Sequence, residues 1–253
     1  MGNNMKIVHI KTKLEEIGSP VDSISLGTFD QIGEFTAKRD RKPDDPNFHK
    51  VGATYRSNYE RGILVYNLIR KFNLSSMLEI GFGRGYTTFC AAKAFHDMGI
   101  IGKITTIDPA FDEKFINALQ NVFPQDWFKC IQFASGTSRA VLPQINESYD
   151  LVYVDGDHSY EGTKYDIEQT LNKCTKFMLM DDYHLPTKDD PGIQCRTAID
   201  EVNWEREGFL EPELIRMDRR IFMDERGLSD EQVNYGQVLA TRIGTSPITR
   251  DDW

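Results

Sequence analysis

From Asn73 onward, the sequence alternates short apolar runs with segments of helical periodicity. The five apolar runs are Met77–Ile80, Lys103–Asp108, Phe128–Phe133, Tyr149–Asp155 and Lys176–Asp181. Strands that alternate with helices form parallel βαβ units with right-handed crossovers. A parallel sheet is buried on both faces, which explains why several of these runs are almost continuously apolar. The alternation therefore predicts an α/β fold.

Both ends of the chain add to this prediction. Two late apolar runs, Leu214–Phe222 and Gln237–Ile243, are interpreted as strands that pair as an antiparallel hairpin. Residues 1–50 have weak periodicity and are interpreted as an N-terminal extension, whereas residues 51–253 form one domain. The predicted architecture is a Rossmann-like, doubly wound, seven-stranded and mostly parallel sheet with an antiparallel C-terminal strand.

The composition disfavours several classes of partner. The 253 residues include 30 Lys and Arg against 39 Asp and Glu, so the net charge is −9. This acidity argues against a nucleic-acid partner, because a phosphate backbone requires a basic surface. No apolar stretch approaches the roughly 20 residues that span a bilayer, and the first residues lack the apolar segment of a secretory signal. We therefore expect a cytoplasmic protein without membrane or nucleic-acid partners.

A glycine-rich turn follows the first run, at the edge where open α/β sheets bind their ligands. Its sequence is Glu79-Ile-Gly81-Phe-Gly83-Arg-Gly85. Glycines allow a tight turn and a close approach to a ligand, and the next helix offers free N–H groups. The second run ends at Asp108, whose carboxylate could accept the hydroxyl protons of a ribose. A dinucleotide fingerprint would place its third glycine three residues after the second, whereas here the spacing is two, which disfavours NAD.

Acidic residues follow the fourth and fifth runs, so Asp155, Asp181 and Asp182 are expected at this same edge. Neighbouring carboxylates raise each other's pKa, and a Mg²⁺ ion, which prefers oxygen ligands, would relieve the repulsion. The alternative is that these acids cap the following helices. His158 is the first candidate for a general base because imidazole titrates near neutral pH, with His184 and Asp155 next; a purely structural His158 is the alternative.

The turn resembles motif I of the class I S-adenosylmethionine (SAM) methyltransferases. The resemblance implies that its three glycines pass under the methionine part of SAM, that Asp108 holds the ribose, and that Glu79 supports the loop. Ser135 and Gly136, after the third run, match by position the residues that contact adenine in that family. Asp155, after the fourth run, is assigned to both cofactor binding and catalysis.

The segments VDGDHSYE and MDDYH, after the fourth and fifth runs, are similar to small-molecule O-methyltransferases related to macrocin O-methyltransferase and to the cephalosporin hydroxylase-like group. The resemblance covers about residues 55–185. It implies in-line transfer of a methyl group from SAM to a hydroxyl of a sugar or another diol-type small molecule. It also implies that Asp155, Asp181 and Asp182 bind a Mg²⁺ ion that coordinates two neighbouring substrate hydroxyls.

Two other functions stay open. A non-catalytic SAM-binding subunit would keep the same cofactor residues. An iron-dependent hydroxylase would need two His and one carboxylate, which His158, His184 and an Asp could supply. The candidates for the acceptor pocket are Tyr55, Tyr59, Trp204 and the segment 185–196. The identity of the acceptor is not predicted, and a homo-oligomer formed through the N-terminal extension is possible.

Overall fold

The computed structural model describes residues 5–19, 26, 60–83, 85–121, 123–183, 192–216 and 236–245. The strands within these ranges are β1 (Lys6–His9), β2 (Ser76–Ile80), β3 (Lys103–Asp108), β4 (Ile131–Ser135), β5 (Tyr149–Val154), β6 (Cys174–Met180), β7 (Glu213–Arg216) and β8 (Gly236–Thr241). The α-helices are α1 (Ile10–Glu16), α2 (Glu60–Lys71), α3 (Tyr86–Asp97), α4 (Glu113–Gln120), α5 (Ser138–Val141), α6 (Tyr160–Thr170) and α7 (Cys195–Asp200).

These strands form one sheet in the order β1-β7-β8-β6-β5-β2-β3-β4. Strand β8 is antiparallel to its neighbours β6 and β7, and every other pair is parallel. The predicted Rossmann-like α/β fold with an antiparallel C-terminal strand is confirmed. The predicted strand count of seven is wrong, since the described residues contain eight strands.

The additional strand, β1, comes from the segment that was predicted to be an N-terminal extension. It pairs in parallel with β7 at one edge of the sheet. Among its four residues only Val8 is buried, so the segment lacks the apolar run that marks the other strands. Residue 50, the predicted domain boundary, lies outside the described residues, and the division into extension and domain stays a prediction.

The third apolar run is shifted relative to its prediction at Phe128–Phe133. Gln125–Cys130 forms a 3₁₀ helix, which buries Trp127 against the stacked ring of Phe123, and strand β4 then begins at Ile131. A run of apolar residues does not distinguish such a turn from a strand. The shift matters for the site, because β4 ends at Ser135 in register with Asp108 of β3.

Two apolar layers hold the helices against the sheet. Residues of α1 to α4 pack on one face, where most of the described side chains of α2 and α3 are buried. Residues of α6 and α7 pack on the other face. With both faces covered, the carboxyl ends of the parallel strands β2 to β6 are the edge at which a ligand can approach.

Candidate active site

The turn between β2 and α3, residues 81–85, is called the glycine loop below. Gly81 has a φ of 87°, and a Cβ atom there would lie 1.9 Å from the backbone oxygen of Asp155. Only glycine allows this contact, so Gly81 brings the end of β2 against the end of β5. Gly83 also has a positive φ, but a Cβ atom there would meet nothing within 4 Å. The loop therefore presents an open face at Gly83.

An aromatic cluster supports the glycine loop from below. The ring of Phe82 is buried and makes edge-on contacts with Phe111, Phe115 and Phe133, with centroid distances of 5.0–5.8 Å. Gly85, with a φ of 80°, leaves room for this ring, because a Cβ atom at Gly85 would lie 2.2 Å from it. The two glycines and Phe82 thus fix the shape of the loop from opposite sides.

Glu79 is buried beneath the loop and joins three elements. Its carboxyl group accepts hydrogen bonds from the hydroxyls of Thr88 on α3 and Thr106 on β3, the latter at 2.6 Å. Burial is the main reason that the pKa of Glu79 is raised to about 8; the charges of Asp155 and Asp108 add to the rise, and the threonine hydroxyls oppose it. Glu79 therefore carries a proton at neutral pH in the ligand-free protein.

Asp108 closes the glycine loop through backbone contacts. Its Oδ2 atom accepts the N–H groups of Phe82 and Gly83 at 3.2 and 3.3 Å, and its Oδ1 atom accepts that of Ala110 at 2.8 Å. Gly136 N donates to the backbone oxygen of Asp108 at 3.3 Å. Ser135 is exposed, and its hydroxyl donates to the backbone oxygen of Phe111 at 2.9 Å. The predicted cofactor residues of β3 and β4 are therefore neighbours.

Asp155, His158 and Asp182 come together beside the loop, and we call them the acidic cluster. The Nε2 atom of His158 lies 3.4 Å from Asp155 Oδ1 and 3.2 Å from Asp182 Oδ2. One potential ligand atom from each residue lies within 4.8 Å of the others. Burial lowers the pKa of His158, but the hydrogen bond to Asp155 and the surrounding negative charges outweigh it and raise the pKa to about 9.

The third predicted metal ligand, Asp181, is placed differently. Its side chain is buried, and its Oδ2 atom accepts a hydrogen bond from the hydroxyl of Tyr153 at 2.8 Å. Its Oδ1 atom accepts the N–H of Asp182 at 2.8 Å. Among the described residues, the group whose atoms converge as a metal site would require contains His158 and not Asp181.

Several contacts around the cluster were not predicted. Gln194, just before α7, donates its N–H to the backbone oxygen of His158 at 2.8 Å and accepts the N–H of Tyr160 at 3.3 Å. Thr163 of α6 donates to the backbone oxygen of Asp157 at 3.1 Å. These contacts fix the loop between β5 and α6. No local pattern marks Gln194, because its partners lie about 35 residues earlier in the chain.

The structure does not place the other predicted site residues in this site. Trp204 is buried and packs edge-on against Phe209 at 5.7 Å, so it belongs to the core rather than to a pocket wall. The described residues do not include Tyr55, Tyr59, His184 or most of the segment 185–196. In the described part of the chain, the acidic cluster contains one His, whereas the hydroxylase alternative requires two.

Residues 78–183 match the model of a family described as a methyltransferase domain. The matched segment is therefore similar to a methyltransferase domain. It contains the glycine loop and the acidic cluster, and the match confirms the resemblance to class I SAM-dependent methyltransferases. The more specific likeness to the macrocin O-methyltransferase group stays a prediction. No curated protein matches the sequence.

Several solved structures share the fold of this chain. A putative O-methyltransferase from Klebsiella pneumoniae has a TM-score of 0.58 and 16% identity, over 92% of this chain and 96% of that one. The O-methyltransferase from Bacillus cereus in complex with SAH has a TM-score of 0.56 and 15% identity, over 92% and 96%. The O-methyltransferase TomG from Streptomyces achromogenes, in complex with SAM, has a TM-score of 0.55 and 17% identity, over 85% and 97%.

Within the described ranges, no helix is long and apolar enough to cross a membrane.

Proposed function

We propose that this protein transfers a methyl group from SAM to a hydroxyl oxygen of a small molecule with neighbouring hydroxyls, such as a sugar, and that a divalent cation assists. The observation that carries the proposal is the contact of Gly81 with the backbone of Asp155, which places the acidic cluster directly beside the glycine loop. In-line methyl transfer needs a cofactor and an acceptor side by side, and alignment alone is worth up to about 7–11 kcal/mol.

The residues around the glycine loop fit SAM. The open face at Gly83 leaves room for the cofactor, and a SAM bound there would supply a methyl group activated by its sulfonium charge. The carboxylate of Asp108 has acceptor capacity for ribose hydroxyls, because its two oxygens offer about four lone pairs. Ser135 and Gly136 lie next to Asp108, where they would border the adenine. The SAM and SAH complexes of the structural neighbours support this assignment.

The acidic cluster fits a divalent cation such as Mg²⁺. Asp155 and Asp182 would hold it through carboxylate oxygens, with His158 within reach and Asp181 fixed behind them. A bound cation would lower the pKa of a coordinated hydroxyl and fix its direction. The carboxylates of Asp155 and Asp182 keep His158 protonated at neutral pH, so His158 would accept the hydroxyl proton only where a bound cation offsets their charge and lowers its pKa.

The test is transfer of labelled methyl from SAM to a catechol and to a sugar with adjacent free hydroxyls, each compared with its singly hydroxylated analogue. We expect transfer to the diols alone, and at least a ten-fold loss after EDTA treatment or in Asp182→Asn. Asp126→Asn, which changes an exposed acid on the 3₁₀ helix before β4, is the matched control and should keep full activity. Equal transfer to both kinds of acceptor, or full activity in EDTA, would contradict the diol and cation parts of the proposal.

A further inference from the structure

Three buried polar side chains lie in a row on adjacent strands behind the acidic cluster. Tyr153 is on β5, Asp181 directly follows β6, and Gln237 is on β8; their exposed fractions are 1%, 2% and 0%. The strand register places them on the same face of the sheet, because Tyr153 pairs with Leu179 and Leu179 with Leu239, and Asp181 and Gln237 each lie two residues from those partners. Burying polar groups is costly unless they are hydrogen-bonded, so their arrangement requires an explanation.

Their hydrogen bonds run in one direction, toward the site. Gln237 Nε2 donates to the Tyr153 hydroxyl at 3.0 Å, and this hydroxyl donates to Asp181 Oδ2 at 2.8 Å. An amide nitrogen only donates hydrogen bonds, so the Tyr153 oxygen must accept from Gln237 and its hydroxyl proton is left to point to Asp181. The donors of β8 and β5 therefore fix the orientation of the Asp181 carboxylate.

This carboxylate in turn constrains the backbone of Asp182. Its Oδ1 atom accepts the N–H of Asp182 at 2.8 Å. Asp182 has a φ of 52°, and Asn73 is the other non-glycine residue with a positive φ in the described part of the chain. Such a conformation costs roughly 1–2 kcal/mol and persists where the surroundings enforce it. In this conformation the Asp182 carboxylate lies 3.2 Å from His158.

We propose that Tyr153 and Gln237 are positioning residues of the site: through Asp181 they hold the Asp182 carboxylate in the acidic cluster. This inference rests on the proposed function, in which Asp182 is a cation ligand. Gln237 bonds to Tyr153, Tyr153 bonds to Asp181, and Asp181 bonds to the backbone of Asp182, so the two strand residues act on the cluster through Asp181. Partners of this kind around metal ligands change metal affinity by about 10- to 100-fold when they are removed.

The test compares Tyr153→Phe with Tyr149→Phe. Both tyrosines lie on β5 and are buried, but the hydroxyl of Tyr149 donates to Thr105 Oγ1 at 2.9 Å, at the opposite end of the strand. Each variant loses one buried hydroxyl and keeps its ring. We would titrate both with Mn²⁺ and with SAM by calorimetry, and crystallise both. Gln237→Leu, which removes the first donor, is the second variant.

We expect Mn²⁺ binding to weaken about ten-fold in Tyr153→Phe and by a smaller factor in Gln237→Leu, with unchanged binding in Tyr149→Phe. SAM affinity should stay within about two-fold in all three variants. Equal Mn²⁺ affinity in the two tyrosine variants would overturn the inference. If the wild type bound no Mn²⁺, the cation part of the proposed function would fail, and the crystal structures would decide: an Asp182 that leaves His158 in Tyr153→Phe alone supports positioning, and an unmoved Asp182 refutes it.

Discussion

The carboxyl ends of strands β2 to β6 form one edge of the sheet, and the acidic side chains in its two halves have different kinds of partner. In the half formed by β2, β3 and β4, Asp108 accepts backbone N–H groups of the glycine loop and of its own turn. In the half formed by β5 and β6, the acidic cluster pairs side chain with side chain, between His158 and the carboxylates of Asp155 and Asp182. The first, which we call the glycine-loop half, is set by backbone geometry. The second, which we call the acidic half, depends on side chains from separate segments.

This difference assigns a different task to each half. Backbone donors are rigid, so a site that they form stays in place before a ligand binds. Charged side chains can exchange partners, so the acidic cluster is suited to a cation and to a proton that moves. Gly81 joins the halves, because the end of β2 reaches the backbone of Asp155 only where a Cβ atom is missing.

The largest loss of stability is expected from a substitution at Gly81, where the end of β2 contacts the backbone of Asp155. In Gly81→Ala, the new Cβ atom would overlap the backbone oxygen of Asp155 at a φ of 87°. We expect the free energy of unfolding in urea to fall by on the order of 3–5 kcal/mol. Gly83→Ala is the control, since its φ is also positive but the space beside it is open, and it should lose about 1–2 kcal/mol. Equal losses would mean that the strain lies in the loop and not in the junction.

The ionisation of Glu79 makes the stability of the glycine-loop half depend on pH. The pKa of Glu79 is raised by burial to about 8 from its ordinary 4.5, so the folded protein keeps a proton that the unfolded chain releases. Its contribution to stability is therefore full below pH 4.5 and is lost as the pH rises to about 8. Unfolding by urea from pH 5 to 9 should show this decline in the wild type and a flatter curve in Glu79→Gln.

The matched control for this pH series is Glu113→Gln, which changes an exposed acid in the first turn of α4. Its curve should follow that of the wild type. Parallel curves for Glu79→Gln and the wild type would show that Glu79 is ionised in the folded protein, against the account of this half.

The smallest loss of stability is expected from a substitution at Gln194, which connects the loop after β5 to the start of α7. Gln194→Ala removes the side-chain oxygen that accepts the N–H of Tyr160 at 3.3 Å, but it keeps the backbone bond to His158. Gln194 is exposed, so we expect a loss below about 1 kcal/mol, with faster hydrogen exchange at the Tyr160 amide. Unchanged exchange at Tyr160 would show that this side chain does not hold the loop.

The same comparison explains what could be predicted from the sequence. The fold and the glycine-loop half follow from local signals, because apolar runs mark the strands and the spacing of glycines and Asp108 marks the loop. Strand β1 carries no such signal, since it buries one side chain and depends on β7, about 200 residues later. The 3₁₀ turn before β4 is apolar like a strand, so pattern alone could not separate them.

The acidic half was predicted only in outline. Asp155, Asp181 and Asp182 were expected to converge because they follow adjacent strands, but their side-chain directions depend on partners far away in the sequence. The left-handed backbone of Asp182 and the hydrogen bond from Tyr153 turn the two neighbouring acids in different directions. Tyr153 and Gln237 were missed because buried strand residues are read as core unless their partners are known.

The central claim, that the glycine-loop half binds SAM, is tested most directly by calorimetric titration with SAM of the wild type, Asp108→Asn and Asp112→Asn. Asp112 receives the same substitution four residues later, where it caps α4 and lies on the surface. We predict micromolar binding to the wild type and to Asp112→Asn, and at least ten-fold weaker binding, about 1.4 kcal/mol, to Asp108→Asn. No binding of SAM to the wild type, or equal binding to all three proteins, would contradict the account.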